Sequence, residues 1–159
     1  MAEDACRLER SEGCLVAAVR VGGPARDVGG RFDHLMDWAE VHRIEHWGPL
    51  VGVYLDPLPG APEVSGEAWL PIPPDLRGMD PGDGQVAIKE IAPQEVARCT
   101  HRGFPDGLGI AVRRLAQWVA DEGLQRSEPL HRQVYRHAPK WDPGSWVVDV
   151  ELPVVRRGG

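Results

Sequence analysis

The chain has few cysteines, no long apolar run and no excess of basic residues. Its 159 residues include three cysteines, Cys6, Cys14 and Cys99, whose spacing is not that of a metal site and leaves one outside any disulfide scheme. No apolar run approaches the roughly 18 residues of a membrane helix, and no signal segment opens the chain. These absences predict a cytoplasmic protein with no membrane partner.

The charge balance is acidic. Lysine and arginine total 18 against 24 acidic residues, a formal net charge of −6. A surface that binds nucleic acid directly is expected to be clustered and basic, so we expect no direct nucleic-acid partner. With 42% hydrophobic and 26% charged residues, the composition is typical of one globular domain spanning residues 1–159.

The histidines and glycines do not indicate a metal or a cofactor. His34, His42 and His46 are eight and four residues apart, and His131 and His137 share one face of a predicted strand. Neither group has the close ligand set of a zinc site. The Gly-rich stretches lack the Lys-Ser/Thr of a phosphate-binding loop. We therefore predict no metal and no cofactor.

The chain repeats its own pattern of residues. Three pairs of positions are separated by 80 to 82 residues: Trp38 and Trp118, Tyr54 and Tyr135, and Pro71 and Pro153. Two copies of so long a period do not make a solenoid. The pattern predicts a duplicated unit with pseudo-two-fold symmetry, with repeats at about 13–72 and 85–155, a Pro/Gly-rich linker at 73–84, and a ligand cleft at the seam.

Each half is predicted as strand, helix, strand, strand. Apolar spacing predicts helices over 31–43 and 110–122. Seven strands are predicted, at 14–20, 50–55, 67–72, 85–90, 94–101, 130–137 and 146–154. The Pro/Gly loop 57–62 predicts a hairpin. The fold class is therefore α+β, with an antiparallel sheet and both helices on one face.

The order of these motifs resembles the GyrI-like small-molecule-binding domain over about residues 13–155. The motifs that carry the resemblance are Arg20-Val-Gly-Gly-Pro24, Leu35-x-x-Trp38-Ala, Val51-Gly-Val-Tyr-Leu-Asp-Pro57, Gln133-Val-Tyr135 and Glu151-Leu-Pro153. The resemblance implies tandem βαββ units. It also implies either an effector-sensing domain of AraC- or MerR-type regulators or a stand-alone protein that protects against toxins and drugs. Only about a dozen residues precede the first predicted strand, so we expect the stand-alone kind.

The resemblance also implies where a ligand is held. Drug-sensing members carry a glutamate where this chain has Gln133, so a neutral ligand is expected in place of a cation. Tyr135 shares the strand face of Gln133, and Trp146 matches an aromatic residue that stacks on ligands. His101 precedes a Gly turn, where it stabilises the turn or lies at the edge of the cleft.

Aromatic residues supply the other candidates. Trp38 and Trp118 are expected in the core. The tryptophans without a repeat equivalent, and one phenylalanine in a Gly/Pro turn, are candidates for an aromatic cage: Trp47, Trp69, Trp141, Trp146 and Phe104. For each tryptophan, a partly buried position at the rim is an equal alternative.

Few residues suggest acid–base chemistry. Tyr54 and Tyr135 are repeat-equivalent hydroxyls that could position a ligand or water, or be satisfied core tyrosines. Glu67 shares a strand face with Trp69 and is a candidate only if Trp69 lines the pocket. Asp149 and Glu151 are predicted to face solvent.

Two functions of different class follow. The favoured one is a protein that sequesters a planar aromatic or polycyclic ligand, for self-resistance. The alternative comes from the resemblance, which implies that a subset of the family hydrolyses cyclopropane-bearing DNA alkylators in an aromatic cage: the chain would be a hydrolase of that type or a related hydrolase or isomerase. A weaker alternative is a modulator of a protein partner. Exposed edge strands permit a monomer or a homodimer.

Overall fold

The computed structural model describes residues 5–55 and 63–156. These residues contain nine strands and two α-helices, joined by loops and short 3-10 turns. In chain order the elements are β1 Arg7–Ser11, β2 Cys14–Pro24, α1 Val28–Val41, β3 Val51–Leu55, β4 Glu63–Ile72, β5 Ala87–Ile91, β6 Gln94–Arg102, α2 Leu108–Asp121, β7 Leu124–Arg126, β8 Leu130–His137 and β9 Val147–Arg156. Both predicted helices and all seven predicted strands are present. The predicted hairpin loop 57–62 lies outside the described residues.

The two helices begin and end in the same way. Each follows a single 3-10 turn that comes after a glycine with positive φ, Gly23 before α1 and Gly103 before α2. After each helix the chain leaves through a left-handed residue, Arg43 or Gly123, as helix C-termini commonly do. Both helices start earlier than predicted, at Val28 and Leu108, because each first turn contains glycine, which has low helix propensity and hides the start of a helix in the sequence.

The strands form an antiparallel sheet in the order β1-β6-β9-β8-β3-β4-β2-β5, and β7 pairs with β9. Strands β3 and β8, one from each predicted repeat, are neighbours at its centre. The short lead strands are exchanged, since β1 pairs with β6 and β5 pairs with β2. This order is consistent with the predicted duplication. It places the boundary between the two predicted repeats at the middle of the sheet, between β3 and β8.

Both helices pack on one face of the sheet. Leu35 and Trp38 of α1 are buried with side chains of β2 and β4, and Leu115 of α2 is buried with side chains of β6 and β9. Trp118 packs against the same cluster as Leu115. No helix among the described residues is long and apolar enough to cross a membrane.

The prediction that Asp149 and Glu151 are solvated is wrong. Both point away from the helices, but they are only 6% and 4% exposed. Arginines on neighbouring strands cover them: Arg136 Nε donates to Asp149 at 2.8 Å and Arg98 Nε donates to Glu151 at 2.8 Å. Burial alone would raise the pKa of Asp149, but hydrogen bonds from Thr100 and Arg136 hold it below its ordinary value. On this face of the sheet the carboxylates of Asp149 and Glu151 are therefore paired with arginines and not with solvent.

Candidate functional site

Strands β3 and β8 carry polar side chains toward the helices at the centre of the sheet. Tyr54 on β3 lies opposite His131 on β8, so both belong to the same face. Gln133 and Tyr135 follow His131 at every second position and share that face. The floor between α1 and α2 is therefore made of two tyrosines, an amide and an imidazole.

These four side chains form one hydrogen-bonded chain. Tyr135 Oη donates to Gln133 Oε1 at 2.9 Å, and because a phenol has one O–H, Tyr54 Oη donates to Tyr135 Oη across 2.7 Å. Gln133 Nε2 then donates to His131 Nε2 at 3.1 Å. The rings of Tyr54 and His131 pack with centroids 5.4 Å apart. The direction of donation is thus fixed from Tyr54 to His131.

Both tyrosines of the hydrogen-bonded chain are protonated near neutral pH. Burial raises the pKa of Tyr135 well above its usual value, and the neighbouring Tyr54 adds to the effect. Burial also raises the pKa of Tyr54, although the hydrogen bond to Tyr135 acts in the opposite direction. Neither phenol is therefore a general base near neutral pH. The arrangement is suited to hydrogen bonding with a neutral group.

A cavity of about 350 Å³ opens beside Tyr135, between α1 and the loop that joins β8 to β9. Its aromatic walls meet edge to face: the ring of Tyr135 lies 5.4 Å from that of Phe32 and 6.2 Å from that of Trp146. Trp146 is held in place because its Nε1 donates to the Pro139 carbonyl at 2.9 Å. We call this space the α1 cavity.

The rim of the α1 cavity carries one exposed ion pair. Lys140 from the β8–β9 loop lies 3.2 Å from the carboxylate of Asp33 on α1. A pair as exposed as this contributes little to stability. Each charge already has a partner, so neither makes the cavity strongly selective for an ion of one sign.

A second cavity, of about 400 Å³, lies on the α2 side of the same floor and is lined by Gln133 together with residues of α2 and the turn before it. Tyr135 lines the α1 cavity and Gln133 lines this second one. Because Tyr135 donates a hydrogen bond to Gln133, the hydrogen-bonded chain runs beneath both cavities. We call the two cavities and this floor the helix-side groove. Within residues 5–55 and 63–156, no three His, Cys, Asp or Glu side chains are grouped to hold a metal ion.

The structure brings four predicted site residues together in this groove: Tyr54, Gln133, Tyr135 and Trp146. It separates Glu67 from the two tyrosines, because Glu67 lies opposite Val53 and so on the other sheet face. There Glu67 accepts hydrogen bonds from Trp69 Nε1, at 2.8 Å, and from Lys89. Burial would raise the pKa of Glu67, but these two bonds lower it.

The other predicted aromatics are more scattered. Trp47 and Trp69 line a third cavity, on the sheet face away from the helices. Trp141 is 83% exposed and Phe104 is 64% exposed, and neither lines the α1 cavity. His101 is buried and its Nε2 donates to the Phe104 carbonyl at 2.7 Å, so it stabilises the turn before α2.

Several residues of the groove were not predicted as site residues, and His131, Phe32 and Gly52 matter most for the shape and hydrogen bonding of its floor and wall. His131 shares the two-residue alternation of Gln133 and Tyr135, which could have indicated it. Phe32 is an aromatic residue on the first turns of α1, and its role depends on a neighbour far away in sequence. Gly52 has the least visible role: a Cβ there would lie 2.4 Å from Tyr54 Oη. The ring of Tyr54 can fold over the strand only because residue 52 has no side chain.

We expect Gly52→Ala to displace the Tyr54 ring and break its hydrogen bond to Tyr135. Crowding of this kind costs about 1–3 kcal/mol of unfolding free energy, measured by urea denaturation. Gly30→Ala is the matched control, because nothing lies within 4 Å of a Cβ at residue 30 in α1. That variant should be neutral or gain up to about 1 kcal/mol. Equal stability of the two variants would contradict this account of Gly52.

Comparison with known proteins identifies a family and several similar folds. The sequence model of the GyrI-like small molecule binding domain matches residues 5–155. The C-terminal domain of EcmrR superposes with a TM-score of 0.80 at 17% identity, covering 98% of this chain and 99% of that one. In an EcmrR–DNA complex, the chain spans only 57% of the EcmrR polypeptide. No curated protein matches by sequence.

Two further structures share the fold at lower similarity. A hydrolase from Listeria innocua superposes with a TM-score of 0.60 at 15% identity, covering 94% of this chain and 92% of that one. The protein SAV2435, bound to tetraphenylphosphonium, superposes with a TM-score of 0.61 at 8% identity, covering 98% and 94%. Identities this low establish a common fold only.

Proposed function

The chain belongs to the GyrI-like small-molecule-binding domain family, and from that premise we propose that it binds a planar, mostly apolar molecule in the helix-side groove. The main support is the α1 cavity, whose aromatic walls stand over a hydrogen-bonded floor of neutral side chains. Its volume of about 350 Å³ falls within the range of small-molecule sites. Faces of Phe32, Tyr135 and Trp146 would supply the contact area.

The proposed ligand is neutral and accepts or donates a hydrogen bond at one end. The floor offers phenols, an amide and an imidazole but no carboxylate, so it lacks the charge that would favour a cation by several kcal/mol. A ligand hydroxyl or N–H could donate to Tyr135 Oη, whose own O–H is already donated to Gln133. A ligand carbonyl could accept from the second N–H of Gln133, which lines the cavity on the α2 side. Binding of this kind serves sequestration or self-resistance.

A catalytic role is the second candidate, and His131 is the observation that favours it. Its imidazole ends the hydrogen-bonded chain and packs against the ring of Tyr54. Imidazole is the side chain used most often for general acid–base catalysis, and here it lies two hydrogen bonds from Tyr135 at the α1 cavity. Hydrolysis of a cyclopropanoid-type substrate would require a water molecule in the groove to give its proton to His131 directly, because the Gln133 amide between Tyr135 and His131 does not pass protons on.

One experiment separates the two functions. Neutral polycyclic natural products are mixed with the protein, tryptophan fluorescence is followed, and each ligand is then analysed by mass spectrometry. Quenching with the ligand recovered unchanged would support binding alone. A gain of one water that scales with protein concentration, and that is lost in His131→Gln, would support catalysis. Absence of quenching by every compound would contradict both.

Trp146→Ala is expected to weaken binding of a quenching ligand roughly tenfold or more, because it removes one aromatic wall of the α1 cavity. Trp146 is only partly buried, so its loss should destabilise the fold by less than the about 3–5 kcal/mol of a core aromatic. Isothermal titration calorimetry measures the affinity, and thermal unfolding measures the stability.

Trp141→Ala is the matched control, since Trp141 lies five residues away in the same loop and is 83% exposed. It should leave the affinity unchanged. Equal losses of affinity in the two variants, or a large loss of stability with unchanged affinity in Trp146→Ala, would remove Trp146 from the site.

A further inference from the structure

The sheet face that points away from the helices has its own cavity, of about 260 Å³. Two tryptophans and three arginines are among the residues that line it: Trp47, Trp69, Arg98, Arg132 and Arg136. Alternation along β8 places Arg132 and Val134 on this face and Gln133 and Tyr135 on the other. The sheet therefore separates this space, which we call the arginine cavity, from the helix-side groove.

Arg132 is the most unusual residue in the arginine cavity. It is 5% exposed, yet its Nε and Nη2 are buried with no hydrogen-bond partner. Its nearest carboxylate is Glu151, with Oε1 at 3.4 Å from Arg132 Nε, which is an ion pair without a good hydrogen bond. The guanidinium carbon lies 6.0 Å from the centre of the Trp69 ring, a cation–π distance.

The neighbouring Arg98 explains why Arg132 is poorly paired. Nε and Nη2 of Arg98 both donate to Glu151 Oε2, and its Nη1 donates to Glu9. Arg98 thus has two carboxylates, while Arg132 shares one of them at a longer distance. A buried guanidinium with unused N–H groups is energetically unfavourable, and an acceptor from a ligand would relieve it.

The walls around Arg132 define what else the ligand must have. Trp69, Val16 and Val51 are apolar and line the same space, so the remainder of the ligand should be flat and apolar. Glu151 and Glu12 also line the cavity and would oppose an anion of more than one charge. A single carboxylate on a one- or two-ring aromatic body fits both the charge and the volume.

We propose that the arginine cavity binds a small aromatic carboxylic acid, with the carboxylate on Arg132 Nη2 and the ring against Trp69. This ligand differs in charge from the neutral one proposed for the helix-side groove, and it occupies the opposite face of the sheet. The arginine cavity is thus a second site, and its existence does not depend on the first.

The test compares 2-naphthoate with 2-naphthamide, which has nearly the same shape but no charge. Binding is followed through the indole Nε1–H signals in ¹H–¹⁵N NMR spectra, with Trp69 assigned by Trp69→Phe. We expect naphthoate to shift the Trp69 signal and to bind at least about tenfold more tightly than the amide. Equal binding of acid and amide, or a naphthoate that shifts Trp146 and leaves Trp69 unmoved, would overturn the proposal.

Arg132→Gln should weaken naphthoate binding at least about tenfold and leave naphthamide binding unchanged. Arg20→Gln is the matched control: Arg20 is an exposed arginine on the same sheet face, outside the cavity, opposite Glu67. It should leave naphthoate affinity within about twofold. Equal losses in the two variants would indicate a general charge effect and contradict the site. If Arg132→Gln does not fold, the comparison of naphthoate with naphthamide in the unaltered protein still tests whether the site selects a carboxylate.

Discussion

Replacing Gln133 with glutamate is expected to raise the affinity of the helix-side groove for aromatic cations roughly 10- to 100-fold relative to neutral ligands. Gln133 is buried in the floor, where its amide is bonded to Tyr135 and His131. At an effective dielectric constant of about 20, opposite unit charges roughly 6 Å apart attract by about 3 kcal/mol. Each 1.4 kcal/mol changes an affinity about tenfold, and the buried position limits screening by solvent.

The measurement is the ratio of two affinities, one for tetraphenylphosphonium and one for the neutral triphenylphosphine oxide. A ratio is preferred because it cancels general effects of the substitution on the fold. Gln125→Glu on β7 is the control, because that residue is exposed and lies outside both cavities of the groove. A ratio that changes equally in the two variants, or in neither, would place Gln133 outside the site.

Glu151→Gln is expected to destabilise the protein by about 3–5 kcal/mol, a large part of the stability of a domain this size. The carboxylate is 4% exposed and compensates two guanidiniums, the buried one of Arg132 and the partly buried one of Arg98. Removing its charge leaves both cations with one fewer counter-charge. An amide keeps the shape of the side chain, so the loss would be electrostatic and not a matter of packing.

Chemical denaturation at neutral pH measures the loss, and Glu90→Gln is the matched control. Glu90 forms an ion pair with Arg77 at 2.6 Å, but both side chains are more than half exposed, so we expect less than about 1 kcal/mol. The two variants make the same chemical change to an ion-paired glutamate at different depths. A loss below about 1 kcal/mol in Glu151→Gln would show that Arg98 and Arg132 are solvated when the carboxylate charge is absent.

Much of the fold could be predicted from the sequence because its signals are local. The apolar spacing of α2 and the breakers around it located that helix within two residues at its start. Strand β8 was predicted with its observed bounds, 130–137, because Ser-Glu-Pro and Ala-Pro enclose it. The division at 73–84 stays a prediction, although a short 3-10 turn at 74–76 and no strand occur there.

Two strands were missed for physical reasons. Strand β1 contains three charged residues in five and owes its conformation to pairing with β6. Strand β7 has only three residues, too few for any alternation to be read. In both cases the partner strand, remote in sequence, determines the structure.

Part of the candidate site could be proposed from the sequence, and its role in binding stays a prediction. Gln133, Tyr135 and Trp146 were selected through resemblance, and alternation put the first two on one face. Two other features depend on how neighbouring strands align: the sheet face on which Trp69 lies, and the covering of Glu151 by arginines. Sequence periodicity gives the two faces of a strand but does not say which one meets the helices.

The exchange of β1 and β5 between the halves of the sheet sets the order in which the polypeptide can fold. Arg7 pairs with Arg98, so strand β1 has no partner until about 90 further residues have been synthesised. Strand β2, in turn, gains its outer neighbour only when β5 has been made. Contacts of such long sequence separation slow folding, because chain entropy is lost before they form. The N-terminal half therefore emerges from the ribosome with an open sheet edge that only the C-terminal half can close.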